Sequence, residues 1–71
     1  MVNQDYEPTE QEESVVELLK EEQRVNPLRV RDVTGLRKQQ VNDLLGNLVA
    51  AGWIRKVNRG LYEFVEDPRD T

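Results

Sequence analysis

Residues 30–54, VRDVTGLRKQQVNDLLGNLVAAGWI, hold two helical patterns separated by Thr34-Gly35-Leu36. In the second, Val41, Leu44, Leu45, Leu48 and Val49 recur at the i, i+3, i+4, i+7, i+8 spacing that gathers apolar side chains on one helix face. In the first, Val30, Val33 and Leu36 make a half-pattern too short to stand alone. Gly35 supplies the left-handed backbone that a β-branched residue resists, so the break reads as a tight bend. Such a stretch sets two amphipathic helices against each other, one at about 30–34 and one at about 37–51, the second ended by Gly52.

Beyond Gly52 the period changes. Trp53-Ile54-Arg55-Lys56-Val57 and Leu61-Tyr62-Glu63-Phe64-Val65 are strand-like runs rich in aromatic and β-branched residues, and Asn58-Arg59-Gly60 joins them as a hairpin. Alternation alone does not select the inward face, because Ile54 and Val57 have opposite parity; Ile54, Tyr62 and Phe64 are taken as core. Upstream, Thr9-Glu10-Gln11-Glu12 has the form of a capping box and opens a helix over about 10–24. Its apolar stripe is Val15, Val16, Leu18 and Leu19, with Glu17 and Glu21 facing out. Asn26-Pro27 is read as its stop, and Leu28 to Val30 as one short strand. Residues 1–8 read as a disordered lead-in, 9–65 as the folded domain and 66–71 as a frayed acidic tail. The class expected is α+β.

Seventy-one residues make one domain near the lower size limit for an unaided core. Cysteine and histidine are absent, which removes disulfides, thiolate chemistry, imidazole acid–base catalysis and nearly every zinc site. Ser14 is the only serine and has no histidine to activate it. The chain is therefore expected not to be an enzyme, and to need no metal, cofactor or small-molecule ligand. Nothing approaches the roughly 20 apolar residues of a membrane helix, and the N-terminus has neither a basic start nor an apolar run. A cytoplasmic protein without membrane contact is expected.

A net charge of −4 argues at first against a polyanionic partner. Its distribution reverses that: residues 1–23 carry −7, residues 24–62 carry +6 and residues 63–71 carry −3. A basic centre lies between acidic ends, and its bases fall on the helix-turn-helix and the hairpin.

The order helix, short strand, helix, turn, helix, hairpin resembles the winged helix-turn-helix. LRVRDVTGLRKQQVNDLLGNLVAAGWIRKVNRGLYEFV carries the resemblance: V-x-x-V-T-G-L (30–36) is similar to the family's helix-turn, V-x-x-x-L-x-x-L-x-x-x-G-W-I (41–54) to its recognition helix running into the wing, and L-Y-E-F (61–64) to the returning strand. The acidic ends also resemble small regulators of salt-loving archaea and their viruses, in which high salt screens repulsion between acidic flanks and DNA. Two positions depart from the pattern: Arg29 and Arg37 stand where a Ser, Thr or Asp cap usually opens the second and third helices.

The resemblance implies a sequence-specific double-stranded DNA-binding regulator, a repressor that occupies its promoter, with the third helix in the major groove and the wing on backbone and minor groove. At 100° per residue, the stripe of Val41, Leu45 and Leu48 lies opposite Gln39 and Asp43, with Gln40, Asn42 and Asn47 to the sides. Gln39, Gln40 and Asn42 are the expected base readers, since carboxamides pair two-pointed with adenine. Arg37 and Lys38 at the positive helix end, Arg29 and Arg31 near the second helix, and Arg55, Lys56 and Arg59 on the wing are expected at phosphates or the minor groove. The wing charges would equally serve to keep an edge strand from aggregating. Asp43 has no assignment, and Gly46 either permits a close approach or is tolerated without purpose. Trp53, Tyr62 and Phe64 are read as core rather than as a base-stacking platform. One short helix reads few base pairs, so a homodimer is expected at least on DNA. The competing reading is a protein-docking module that presents Glu10, Glu13, Glu17 and Glu21 of the first helix to a basic partner.

Overall fold

The computed structural model describes residues 2–69. Its elements run α1 (Glu10–Glu22), β1 (Arg24–Val25), α2 (Pro27–Thr34), α3 (Lys38–Ala50), β2 (Ile54–Asn58) and β3 (Leu61–Phe64). The strands form one antiparallel sheet in the order β1-β3-β2. The result is a small α+β fold of three helices and a three-stranded antiparallel sheet around one core.

Helix α1 opens on the expected capping box: the Thr9 hydroxyl accepts from the Glu12 N–H at 3.2 Å, and the Glu12 carboxylate accepts from the Thr9 N–H at 2.9 Å. Val15, Val16, Leu18 and Leu19 are buried, and Glu17 and Glu21 face out. The helix ends at Glu22, short of residue 24, because Gln23 turns to a φ of 68° and leads into β1.

The short strand lies at Arg24–Val25, not at 28–30, and α2 begins at Pro27 rather than near Val30. One physical fact corrects both expectations. Asn26 is extended, as a residue before proline must be, and that is also the geometry of a helix N-cap. Its side chain accepts from the Arg29 N–H at 2.7 Å, and Pro27 occupies the first turn, where a missing N–H costs nothing. Asn26-Pro27 thus opens α2, and Arg29 sits within its first turn instead of capping it. Gly35 ends α2 in the left-handed conformation (φ 72°, ψ 10°), its N–H donating to the Arg31 carbonyl at 2.8 Å.

Helix α3 buries Val41, Leu44, Leu45 and Leu48. In the hairpin, Lys56 pairs with Tyr62 and Asn58 with Leu61, which leaves Val57 as the extra residue of a bulge. Ile54 faces inward, and Val57, of opposite parity, faces out. Ile54 and Tyr62 join the core, Phe64 packs half-buried against it, and Val57 is exposed. On the opposite face Arg24, Glu63 and Arg55 form a row across the three strands. Each Glu63 oxygen accepts from one arginine, at 2.6 Å from Arg24 and 2.7 Å from Arg55, and these bonds hold the carboxyl below its usual pKa.

Over the residues described, both chain ends make contacts with the rest of the domain. The Asn3 N–H donates to the Ala51 carbonyl at 2.7 Å, and the Tyr6 ring meets Trp53 edge-on at 5.7 Å. Tyr6 donates its hydroxyl to Glu12 at 2.7 Å; burial and that carboxylate push its pKa up to about 12. At the other end Asp67 is 4% exposed, paired with Lys20 at 2.8 Å and with Arg69 at 2.9 Å. Arg69 also reaches Glu13 at 2.7 Å and lies over the Trp53 ring at 4.8 Å. Asn3, Tyr6, Asp67 and Arg69 thus each have a specific partner contributed by the folded domain. The expected fraying of 70–71 lies outside the described residues.

The hydrogen bonds from Arg69, with those from Lys20, hold the Asp67 carboxyl well below the usual carboxylate range. Its contribution to stability is therefore complete above about pH 5 and fades as pH falls through the carboxylate range. Asp67→Asn is expected to cost about 1–2 kcal/mol at pH 7 and less at pH 3, measured by urea unfolding at both. Equal losses would assign the contribution to packing instead of charge.

Candidate nucleic-acid interface

Helix α2, the first half of α3 and the hairpin border an open groove of about 570 Å³. Pro27, Leu28 and Arg31 line it from α2, and Lys38 and Asn42 from α3. Lys56, Arg59 and Tyr62 complete it from the hairpin. Lys56 shares the inward face of Ile54 but stands beyond the core, over its register partner Tyr62, with its ammonium 6.0 Å from the ring centroid. Arg59 follows at the exposed tip, where the Asn58 side chain accepts from the Gly60 N–H at 3.0 Å and tightens the turn.

Among the described residues no carboxylate lines this groove. Arg31, Lys38, Lys56 and Arg59 make no ion pair with any described residue, and Arg37, exposed at the N-cap of α3, makes none either. A concave surface lined by one sign of charge raises the local concentration of the opposite ion. The arrangement suits a chain of phosphates.

The ten residues expected at a nucleic acid divide on this geometry. Arg31, Lys38, Asn42, Lys56 and Arg59 come together at the groove. Gln39 is exposed on the outer ridge of α3. Gln40 is exposed too, and its carboxamide oxygen accepts from the Arg37 N–H at 3.0 Å, away from the groove lining. Arginine has no acceptor with which to cap α3, and Gln40 reaches back to take that place. Arg29 is bound to Glu22 at 2.7 Å and Arg55 to Glu63, on the sheet face opposite Lys56. Arg55 and Lys56 therefore do not converge, because neighbouring strand residues point to opposite faces.

Sequence reasoning passed over Tyr62 as part of the groove, having placed it only in the core; it is 8% exposed and serves both. The shared parity of Ile54, Lys56 and, across the ladder, Tyr62 was the available signal. The role of Glu12 beyond its capping box was also missed. Nearly buried, it accepts from Tyr6 and, at 3.3 Å, from the Asn47 amide, so Asn47 faces α1 rather than the groove. Gly46 has open space where a Cβ would stand, so no close approach within the chain explains it. The acidic face of α1 is reduced by one member, since Glu13 holds Arg69.

No protein-family model, curated protein or solved structure matches the chain. Among the described residues no helix is long and apolar enough to cross a membrane.

Trp53 is fully buried, and its indole N–H donates to the Asn3 carbonyl at 3.0 Å, under the chain ends and outside the groove lining. Its fluorescence is expected to be blue-shifted and to change little when duplex or single-stranded DNA is added. Strong quenching by single strands would show that the ring stacks on bases.

Proposed function

We propose that the chain is a winged helix-turn-helix regulator that binds double-stranded DNA and represses by occupying its site. Helix α3 enters the major groove with Gln39 and Asn42 toward base edges, and the β2-β3 hairpin is the wing. Arg31, Lys38 and Lys56 hold phosphates, while Arg59 at the wing tip reaches the minor groove. Arg37 adds a charge beside the helix N-terminus. One observation carries the reading: four cations without carboxylate partners border a single groove next to the exposed amide face of a helix that follows a tight turn. The element order and the β1-β3-β2 sheet are compatible with it. Because thirteen helical residues reach only a few base pairs, two copies on half-sites about one helical turn apart supply useful specificity.

The decisive experiment is a fluorescence-anisotropy titration against the duplex upstream of the chain's own gene and against a shuffled duplex, across a salt series. Preference for the upstream duplex, weakening with salt, is expected. Absence of binding to either by folded protein, at low and high salt, would reject the reading and favour docking of a protein on the remaining acidic face of α1.

Lys56→Ala and Arg59→Ala are each expected to weaken binding to all duplexes and to lower the slope of log K against log salt by about 0.9. Gln39→Ala should leave that slope unchanged and relax sequence preference. Identical behaviour of all three variants would refute the division between phosphate and base contacts.

A further inference from the structure

Two ridges run along the exposed side of α3. Lys38 and Asn42 form the one that turns into the cationic groove. At 100° per residue, Gln39, Asp43, Gly46 and Ala50 form the other, directly opposite the buried face of Val41, Leu44, Leu45 and Leu48. This outer ridge is the part of the helix that projects furthest from the core. Past Asp43 it is low, since Gly46 has no side chain and nothing within 4 Å of where a Cβ would stand, and Ala50 adds one methyl. Asp43 is exposed and makes no ion pair or hydrogen bond with any described residue. A carboxylate without a cation thus stands on the ridge beside a groove bordered by cations without carboxylates.

We infer that Asp43 is a specificity-determining residue that selects cytosine at one base pair under α3. This rests on the reading of the chain as a double-stranded DNA-binding protein. An ionised carboxylate only accepts hydrogen bonds. In the major groove guanine offers two acceptors and thymine an acceptor and a methyl group, while adenine sets an acceptor beside its amine. Cytosine alone presents an amine with no acceptor on its own edge. Asp43 therefore gains a bond at cytosine and meets repulsion at guanine and thymine, while its charge opposes phosphates at every sequence. It lowers overall affinity and raises discrimination, the pattern expected of a group that acts against wrong partners.

Asp43→Asn keeps the shape and exposure of the side chain but replaces the carboxylate with a carboxamide, which pairs with adenine. Wild type and D43N, each confirmed folded by circular dichroism, would be selected on a duplex library with randomised positions, and the winning duplexes titrated by anisotropy. The expected result is a preference of about tenfold for cytosine at one position in wild type. In D43N that position should change to adenine, with tighter binding to unselected duplexes. Unchanged base preference at every position in D43N would overturn the inference while leaving DNA binding intact. Failure of wild type to bind any duplex in the library would overturn both.

Discussion

The burial of Trp53 is the constraint on which the rest of this structure depends. Its N–H donates to the Leu48 carbonyl at the end of α3, and its carbonyl accepts from the N–H groups of Val65 and Glu66 after β3. Its indole N–H holds the lead-in through Asn3, its ring meets Tyr6, and Arg69 covers it from the tail. One residue thereby joins the end of the third helix and the exit of the hairpin through its backbone and both chain ends through its ring, whose burial contributes on the order of 3 kcal/mol. That junction lies where β2 leaves α3. In a chain this small a single aromatic residue carries an unusual share of the core.

The second organising fact is the allocation of charge. Of the ten lysines and arginines, Lys20, Arg24, Arg29, Arg55 and Arg69 hold carboxylates; Arg31, Arg37, Lys38, Lys56 and Arg59 hold none among the described residues. The paired five tie elements together: Arg24 and Arg55 through Glu63 across the sheet, Arg29 to the end of α1, Lys20 and Arg69 to the tail. The exposed pairs among them, Arg29 with Glu22 and Arg24 and Arg55 with Glu63, contribute little stability individually, but pairing decides which cations stay available. Four of the available five border one groove. A net charge of −4 and a locally cationic face are compatible because pairing takes up the bases that lie elsewhere.

Much of the architecture was legible in the chain. The capping box at Thr9, the left-handed turn at Gly35, the apolar face of α3 and the change of period after Gly52 all follow from local stereochemistry, which depends on neighbours a few residues away. The misplaced features required knowledge of distant partners. Asn26-Pro27 satisfies the rules for ending one helix and for starting another, and pairing of Arg24–Val25 with β3 settles which applies. Of the candidate site, the groove cations could be recognised as a group on the turn and wing. Removing Arg29 and Arg55 from the free set could not be foreseen, because ion pairs to Glu22 and Glu63 depend on three-dimensional position.

By itself the sequence determined the helices, the tight turn, the hairpin and the concentration of bases in residues 24–62, since periodicity, capping and glycine conformation are local properties. It also carried the alternation that places Lys56 with Ile54. Only the tertiary structure decided the bulge at Val57 and the order β1-β3-β2. Only it decided which charges neutralise one another and which line the groove. The physical reason is the range of the interactions: backbone preference acts within a few residues, whereas ladder pairing and charge pairing act between groups as far apart as Arg24 and Glu63, brought together by burial of a common core.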